Sequence, residues 1–429
     1  MNSKTNRRRF LQNTLGAAVG AALPYIIPSS ALGKAGTVAP SNRIVMGCIG
    51  VGSRGRRDMM TFLDKKEVQI AAACDVDRNH LNQAIDIVNK KYGNNDCAGY
   101  NDFRELILRD DIDAVTIATP DHWHAIPAIM AARAGKDIYA QKPLAYSIEE
   151  GRAVVNAVQQ SPIVWQTGSQ QRSDRNFRFA CELVRNGRLG KVHTIKAGLP
   201  NNNGATDRGT DPAPVPKELD YDMWLGPAPL VPYCPARCHG TFRWISDYSG
   251  GQITDWSGHH IDIAHWGMDT ELGSPVEIEG AGIWPKGPLF DTVENYHFVC
   301  RYAEGFTMIV AGTFPNGVRF EGDQGWVFVT RGRIDAEPES LLKSVIGPNE
   351  IHLYESLDHK QNFLDCVKTR SKTIAPVDVA HHSIMVGHLG LAAIKLGRRL
   401  KWDPKKERFI DDDPANRMLS RPMRSPWHT

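Results

Sequence analysis

A third of the way along the chain a lysine precedes a proline at the end of an apolar run, in DIYAQKPLAYS, Asp137 to Ser147. Proline fixes its own φ and restricts the residue before it, so the flexible ammonium of Lys142 is anchored at a strand end. An ammonium held there can donate to a hydroxyl and stabilise the alkoxide that develops as the hydroxyl carbon is oxidised. A second segment, SGGQITDWSGHHIDIAHW, Ser249 to Trp266, offers complementary groups. Asp255 and His259 stand at i and i+4 and share one face of a helix, with Asp262 on nearly the same stripe. His259, with an ordinary imidazole pKa of about 6.5, suits proton removal near neutrality. A positioned base contributes roughly 10² to 10⁴ in rate. Asp255 would orient that imidazole or bind a neighbouring hydroxyl. The zinc-protease pattern H-E-x-x-H is absent, since Ala264 stands four residues after His260. His260 is read both as a satisfied core histidine and as a candidate substrate ligand. For His265 the core reading stands alone.

Gly50-Val51-Gly52-Ser53-Arg54-Gly55 matches G-x-G-x-x-G, directly after a strand-like run and at the start of a helix. Such glycines let the backbone approach a pyrophosphate seated on the helix N-terminus. Asp75 ends the next strand, where a carboxylate accepts from ribose hydroxyls and repels a 2′-phosphate. NAD is therefore expected rather than NADP. Arg54 and Arg56 argue the other way, and a helix N-cap is the other reading of Asp75. In ATPDHWHA, Thr119 and Pro120 shape the wall beside the cofactor, and His122 and His124 flank Trp123. A metal pair is one reading of the two histidines, but x1 spacing on a loop is common and no carboxylate motif joins them, so no metal ligand set is assigned.

The elements that must position these groups follow a regular rhythm. Apolar strands at Ile44–Ile49, in VQIAAACDVD, DIDAVTIATP, DIYAQKP and PIVWQTGSQ alternate with helical segments such as HLNQAIDIVNKKYG and IEEGRAVVNAVQQ. That alternation predicts a doubly wound parallel sheet. Past about Gln170 the pattern changes to a helix, a long Pro- and Gly-rich tract from Pro200 to Pro235, alternating strands and two closing helices. An α+β domain with a mainly antiparallel sheet is expected there, and the tract is read as site-forming loops. The fold class is thus α/β, with a Rossmann domain over 36–168 and an α+β domain over 169–429.

Residues 1–35 form a leader. Arg7-Arg8-Arg9-Phe10-Leu11 fits the twin-arginine pattern, followed by a modestly apolar run too short to span a bilayer comfortably. Export of an already folded, cofactor-loaded protein to the periplasm is expected, without stable membrane insertion. The leader carries Lys4, Arg7, Arg8, Arg9 and Lys34 and no acid, and removing those five charges takes the formal +3 to about −2. A nearly neutral body gives no support to a nucleic-acid partner. Among eight cysteines, Cys234 and Cys238 form the only close pair and are read as unrelated thiols, a disulfide being the alternative.

Taken together, Gly50-x-Gly52-x-x-Gly55, Thr119-Pro120, Lys142-Pro143 and Asp255-x3-His259-x2-Asp262 resemble the Gfo/Idh/MocA oxidoreductases, the glucose–fructose oxidoreductase and inositol dehydrogenase family. The phrases QTGSQQRS and FRW…GG…TDW…HHID resemble its exported glycan-degrading members. The resemblance covers Arg43 to about Leu400 and implies a tightly bound NAD, a carbohydrate substrate and a homo-oligomer paired through the open sheet. One departure is visible: the family usually has Glu-Lys-Pro, where this chain has Gln141-Lys142-Pro143. Ser53, Gln141 and Lys142 complete the cofactor set. Gln170, Arg172, Trp224, Arg237, His239, Arg243 and Trp244 lie in tracts expected to cover the site, where aromatic faces stack on sugar rings and Arg or His bonds hydroxyls. The function implied is oxidation of a secondary sugar hydroxyl, such as the ring 3-hydroxyl of a glycoside. The alternatives are an NAD-dependent glycosidase of the α-N-acetylgalactosaminidase kind and a noncatalytic sugar-binding protein.

Overall fold

A computed structural model describes residues 42–201 and 206–429. The leader, with its twin-arginine pattern, lies outside the described residues, and Ile44–Thr429 form one unit. The first sheet contains β1 (Ile44–Ile49), β2 (Val68–Cys74), β3 (Ala98–Tyr100), β4 (Ala114–Ile117), β5 (Asp137–Ala140) and β6 (Trp165–Thr167) in the order β3-β2-β1-β4-β5-β6. Every pairing is parallel. The central strands are apolar on both faces because helices cover both; β4 and β5 are buried along their whole length. The edge strand β3 is three residues long, too short to show a period, and the sequence did not announce it.

The second sheet comprises β7 (Val192–Gly198), β8 (Glu277–Ile283), β9 (Glu294–Arg301), β10 (Thr307–Ala311), β11 (Gly317–Gly322), β12 (Gly325–Thr330), β13 (Arg333–Glu337), β14 (Leu400–Asp403) and β15 (Arg408–Phe409). Its order is β13-β12-β11-β7-β10-β9-β8-β14-β15. All pairs are antiparallel except β7 with β10. Along β9, Tyr296, Phe298 and Cys300 are buried while Asn295 and His297 are exposed, the period-two pattern of a sheet with one covered face. Each fully buried Phe contributes roughly 1.5–3 kcal/mol. The covering layer includes helix Val377–Leu396, which is long and apolar enough to cross a bilayer but is 78% buried within the protein.

Two features tie this half to the first sheet. Helix His359–Thr369 returns to pack Phe363 against Phe62 and Tyr139. The long tract is stitched to the carboxyl end of β2: the Arg78 amide donates to the Glu218 carbonyl at 2.9 Å, and the Asp220 amide to the Val76 carbonyl at 2.9 Å. The tract therefore closes over the parallel sheet where open α/β folds bind their ligands.

Candidate active site

The glycine turn is built for close approach. Gly50 has φ +76°, and a Cβ on Gly55 would lie 1.7 Å from the Gly50 carbonyl oxygen. Helix Ser53–Leu63 begins at Gly52 with no side-chain cap and no acid in its first turn. Its N-terminal amides and positive dipole end are open to an anion. Asp75 Oδ2 accepts the Val51 amide at 2.8 Å and Oδ1 the Asp77 amide at 3.0 Å. It is not the N-cap of the next helix; Asp77 is. Arg54 donates to Asp58 at 3.0 Å and Arg56 bonds Gln83, so the two arginines that argued for a 2′-phosphate already have partners. The Thr119 hydroxyl is buried without a partner. An uncapped helix, a turn with no room for a Cβ at Gly50 or Gly55, and an orphaned hydroxyl fit a dinucleotide.

That cradle opens into a cleft of about 720 Å³. Across it stands the lysine. The Lys142–Pro143 peptide is cis, and the Lys142 ammonium donates to Asp255 Oδ1 at 2.8 Å and to the Asp255 carbonyl at 2.9 Å. Arg243 Nε donates to the same Oδ1 at 3.0 Å. Burial pushes the Asp255 carboxyl up, but Lys142 and then Arg243 outweigh it and hold it well below the carboxylate range. Asp255 therefore anchors two cations rather than orienting His259. His259 lines the cleft with Nδ1 buried and unpartnered. Burial first, then Lys142 and Arg331, push its pKa well below the ordinary 6.5 expected from sequence. These causes favour the neutral imidazole.

The helix carrying these residues is not regular. Gly251–Trp256 and Asp262–Met268 are α-helical, but Ser257–Ile261 is a π-turn. Within that turn the Gly258 carbonyl accepts from the Ser169 hydroxyl at 2.8 Å. The i, i+4 spacing still delivers Asp255 and His259 to one cleft, with wider winding than an α-helix.

Several expected ligands stand elsewhere. Arg172 is buried in an ion cluster, donating to Asp262 at 2.7 and 2.9 Å and to Glu271 at 2.7 Å. It does not line the cleft, and Asp262 is its partner rather than a third member of the catalytic stripe. His122 is fully buried with Nε2 on the Trp224 carbonyl. His260 is also fully buried, its Nδ1 2.9 Å from the Gly198 carbonyl. Arg237 donates to the Tyr248 hydroxyl at 3.2 Å, and Trp244 packs outside the lining. These five, Arg172 included, lie outside the cleft lining and do not join its cofactor and substrate groups. His124 does line the cleft, but both ring nitrogens face carbonyls, of Thr119 and Pro143. It joins two strand ends. Ser53, Pro120, Gln170, Trp224 and Arg243 line the cleft as expected. Gln141 lines it too and donates to the buried carboxylate of Asp58 at 2.6 Å, supplying hydrogen bonding where a charge was in doubt. Cys234 and Cys238 are free, buried thiols.

Lining groups that the sequence did not single out include Gln171, Asp121, Lys360 and Arg331. Gln171 is 4% exposed, and neither polar atom of its side chain has a partner; it sat between two residues that were chosen. Asp121 accepts from Ser249 at 2.6 Å, and burial pushes its pKa up. Lys360 pairs with Asp58 at 2.8 Å. Arg331 comes from a hairpin no motif marked. At the mouth, His239 Nε2 lies 3.3 Å from Asp77, and Asp77, His80 and His239 bring ligand atoms within 4.8 Å of one another.

Comparison with known proteins agrees with this geometry. A family described as the oxidoreductase family NAD-binding Rossmann fold matches residues 44–169, and its C-terminal alpha/beta domain matches 202–429. The chain is 26% identical over 277 residues to the uncharacterized oxidoreductase YrbE of Bacillus subtilis (strain 168), covering 65% of each protein. It is 31% identical over 189 residues to an alpha-N-acetylgalactosaminidase of Shewanella oneidensis, covering 42% of this chain and 40% of that one. These matches span less than two thirds of either relative's length. The scyllo-inositol dehydrogenase of Lactobacillus casei, solved with NAD(H) and scyllo-inositol, superposes with a TM-score of 0.60 at 18% identity, over 84% of this chain and 99% of that one. Both halves of the chain, with the dinucleotide cradle in the first and the Asp255–His259 segment in the second, thus place it in the Gfo/Idh/MocA oxidoreductase family, with an NAD-binding Rossmann domain over residues 44–169.

Proposed function

We propose that the chain is an NAD-dependent dehydrogenase of a secondary hydroxyl on a sugar or glycoside, with the cofactor retained through turnover. The observation that carries this is the Lys142–Asp255 pair beside a neutral, half-unpartnered His259 in the cleft that the glycine cradle opens into. Gly50, Gly52 and Gly55 with the helix N-terminus would hold the pyrophosphate, Asp75 the ribose and Thr119 the neighbouring wall. A bound NAD would supply the acceptor for a hydride from the carbinol carbon. Lys142, fixed by Asp255, donates to the substrate oxygen and stabilises its developing negative charge. His259 takes the hydroxyl proton, so the carbon–hydrogen and oxygen–hydrogen bonds break as the carbonyl forms. Tight cofactor retention and export with the cofactor aboard are the reading that the leader motif supports. Oxidation at the ring 3-hydroxyl of a glycoside is the finer assignment.

The similarity to alpha-N-acetylgalactosaminidase favours a second reading, in which transient oxidation acidifies a neighbouring carbon–hydrogen bond, the glycosidic bond eliminates and the hydride returns. Product analysis separates the two. Mass spectrometry of a glycoside incubated with the protein is expected to show an intact glycoside lacking two hydrogens. Release of free sugar with no net oxidation would replace the dehydrogenase by the glycosidase.

A further inference from the structure

Among the described residues, most cations that line the cleft share an acid, and Arg57 and Arg331 do not. Lys142 and Arg243 share Asp255, and Arg54 and Lys360 share Asp58. Arg57 is exposed on the helix that starts at the glycine cradle, where phosphates belong. Arg331 is exposed and makes no ion pair or hydrogen bond with any described residue. Its guanidinium carbon lies 4.9 Å from the ring centroid of Trp256, and that ring lies 5.4 Å from the His259 imidazole. Arg331 is thus one indole away from the group proposed to take the substrate proton.

Its placement is built rather than incidental. Thr330 pairs with Arg333 across the β12–β13 hairpin, so Arg331 and Gly332 form a two-residue turn, with Gly332 at φ +77°. A short hairpin on a large sheet presents the guanidinium with little freedom to lose on binding. Trp256 supports its guanidinium by cation–π contact. Resting on the dehydrogenase reading above, we infer that the substrate is an anionic sugar, whose carboxylate or sulfate ester docks on Arg331 while a ring hydroxyl meets Lys142 and His259. An anion there would also cancel one of the charges that now depress the proton affinity of His259.

The test compares methyl glucuronide and methyl glucoside 6-sulfate with neutral methyl glucoside. It uses the purified protein with its bound cofactor and reads reduced-nicotinamide absorbance and calorimetric binding. A charge-assisted pair contributes about 1.5–3 kcal/mol, so one or both anionic sugars are expected to exceed the neutral one by roughly 10- to 100-fold in kcat/KM. Arg331→Gln should shrink that ratio to about threefold, chiefly through KM, and Arg331→Lys should restore part of it. Acid sugars no better than the neutral one, or an Arg331→Gln loss equal on all three, would overturn the inference. So would release of dinucleotide from Arg331→Gln with the sugar preference intact, which would make Arg331 a cofactor ligand. Arg331-dependent binding of an acid sugar without any reduction signal would uphold the anion site and overturn only the dehydrogenase reading.

Discussion

His259 and Gln171 show how burial turns an ordinary side chain into a site residue. Burial, Lys142 and Arg331 depress the imidazole pKa of His259, so it stays neutral below pH 6.5. The acid limb of kcat/KM should therefore lie below pH 6.5; half-loss at or above that value would show the base to be unperturbed or to be another group. Gln171 buries an amide with no partner, and an unpaired buried polar group costs about 1–3 kcal/mol. Gln171→Leu should leave thermal stability of the unliganded protein equal or higher while raising KM about tenfold. A fall in melting temperature with KM intact would make it a structural residue. Lys142, Asp255, His259 and the glycines were legible because few residue types in few spacings do their chemistry. Arg172 and Arg237 were not, since an arginine in a buried ion pair and one facing a sugar look alike in sequence. Gln171 was invisible for the converse reason: its lack of partners exists only in three dimensions.

At the scale of elements, the glycine turn forms the cradle at one side of the cleft and the π-turn carries His259 into it. A Cβ at Gly55 would sit 1.7 Å from the Gly50 carbonyl oxygen, so Gly55→Ala must push the helix start off the β1–β4 edge. Dinucleotide co-purifying with the variant, assayed by its absorbance after denaturation, should fall at least tenfold; undiminished content would mean the cradle holds something else. The parallel sheet was readable because its strands are apolar runs separated by amphipathic helices. The π-turn was not, because one extra residue per turn leaves the apolar and polar spacing of the segment almost unchanged. The strand β7, central in the second sheet, was overlooked because KVHTIKAG carries polar residues on the face that the sheet leaves uncovered.

The whole molecule buries histidines in both halves. His122 and His265 are pushed down to about 3, and His260 and His359 to about 4, by burial above all. Unfolded, each would take a proton near pH 6.5. Below that pH the unfolded chain binds more protons than the folded one, so stability falls as pH drops from about 6.5 towards 4. Each group contributes up to about 1.4 kcal/mol per pH unit. The raised carboxyls of Asp121 and Glu150 act in the opposite direction, and the histidines outnumber them. Urea midpoints should be lower at pH 5 than at pH 7, and an equal or higher midpoint at pH 5 would show that these rings are not neutral in the folded state.

The most direct measurement of the account is a single turnover of wild type against Lys142→Ala, each with its co-purified dinucleotide, followed by reduced-nicotinamide absorbance on adding a panel of neutral and acidic glycosides. Wild type should form up to one equivalent of reduced cofactor per chain, and Lys142→Ala should keep the dinucleotide but react roughly 10² to 10⁴ more slowly. An equal rate in the variant, or no reduction by any sugar in wild type, would contradict the assignment of Lys142 and His259 to hydroxyl oxidation.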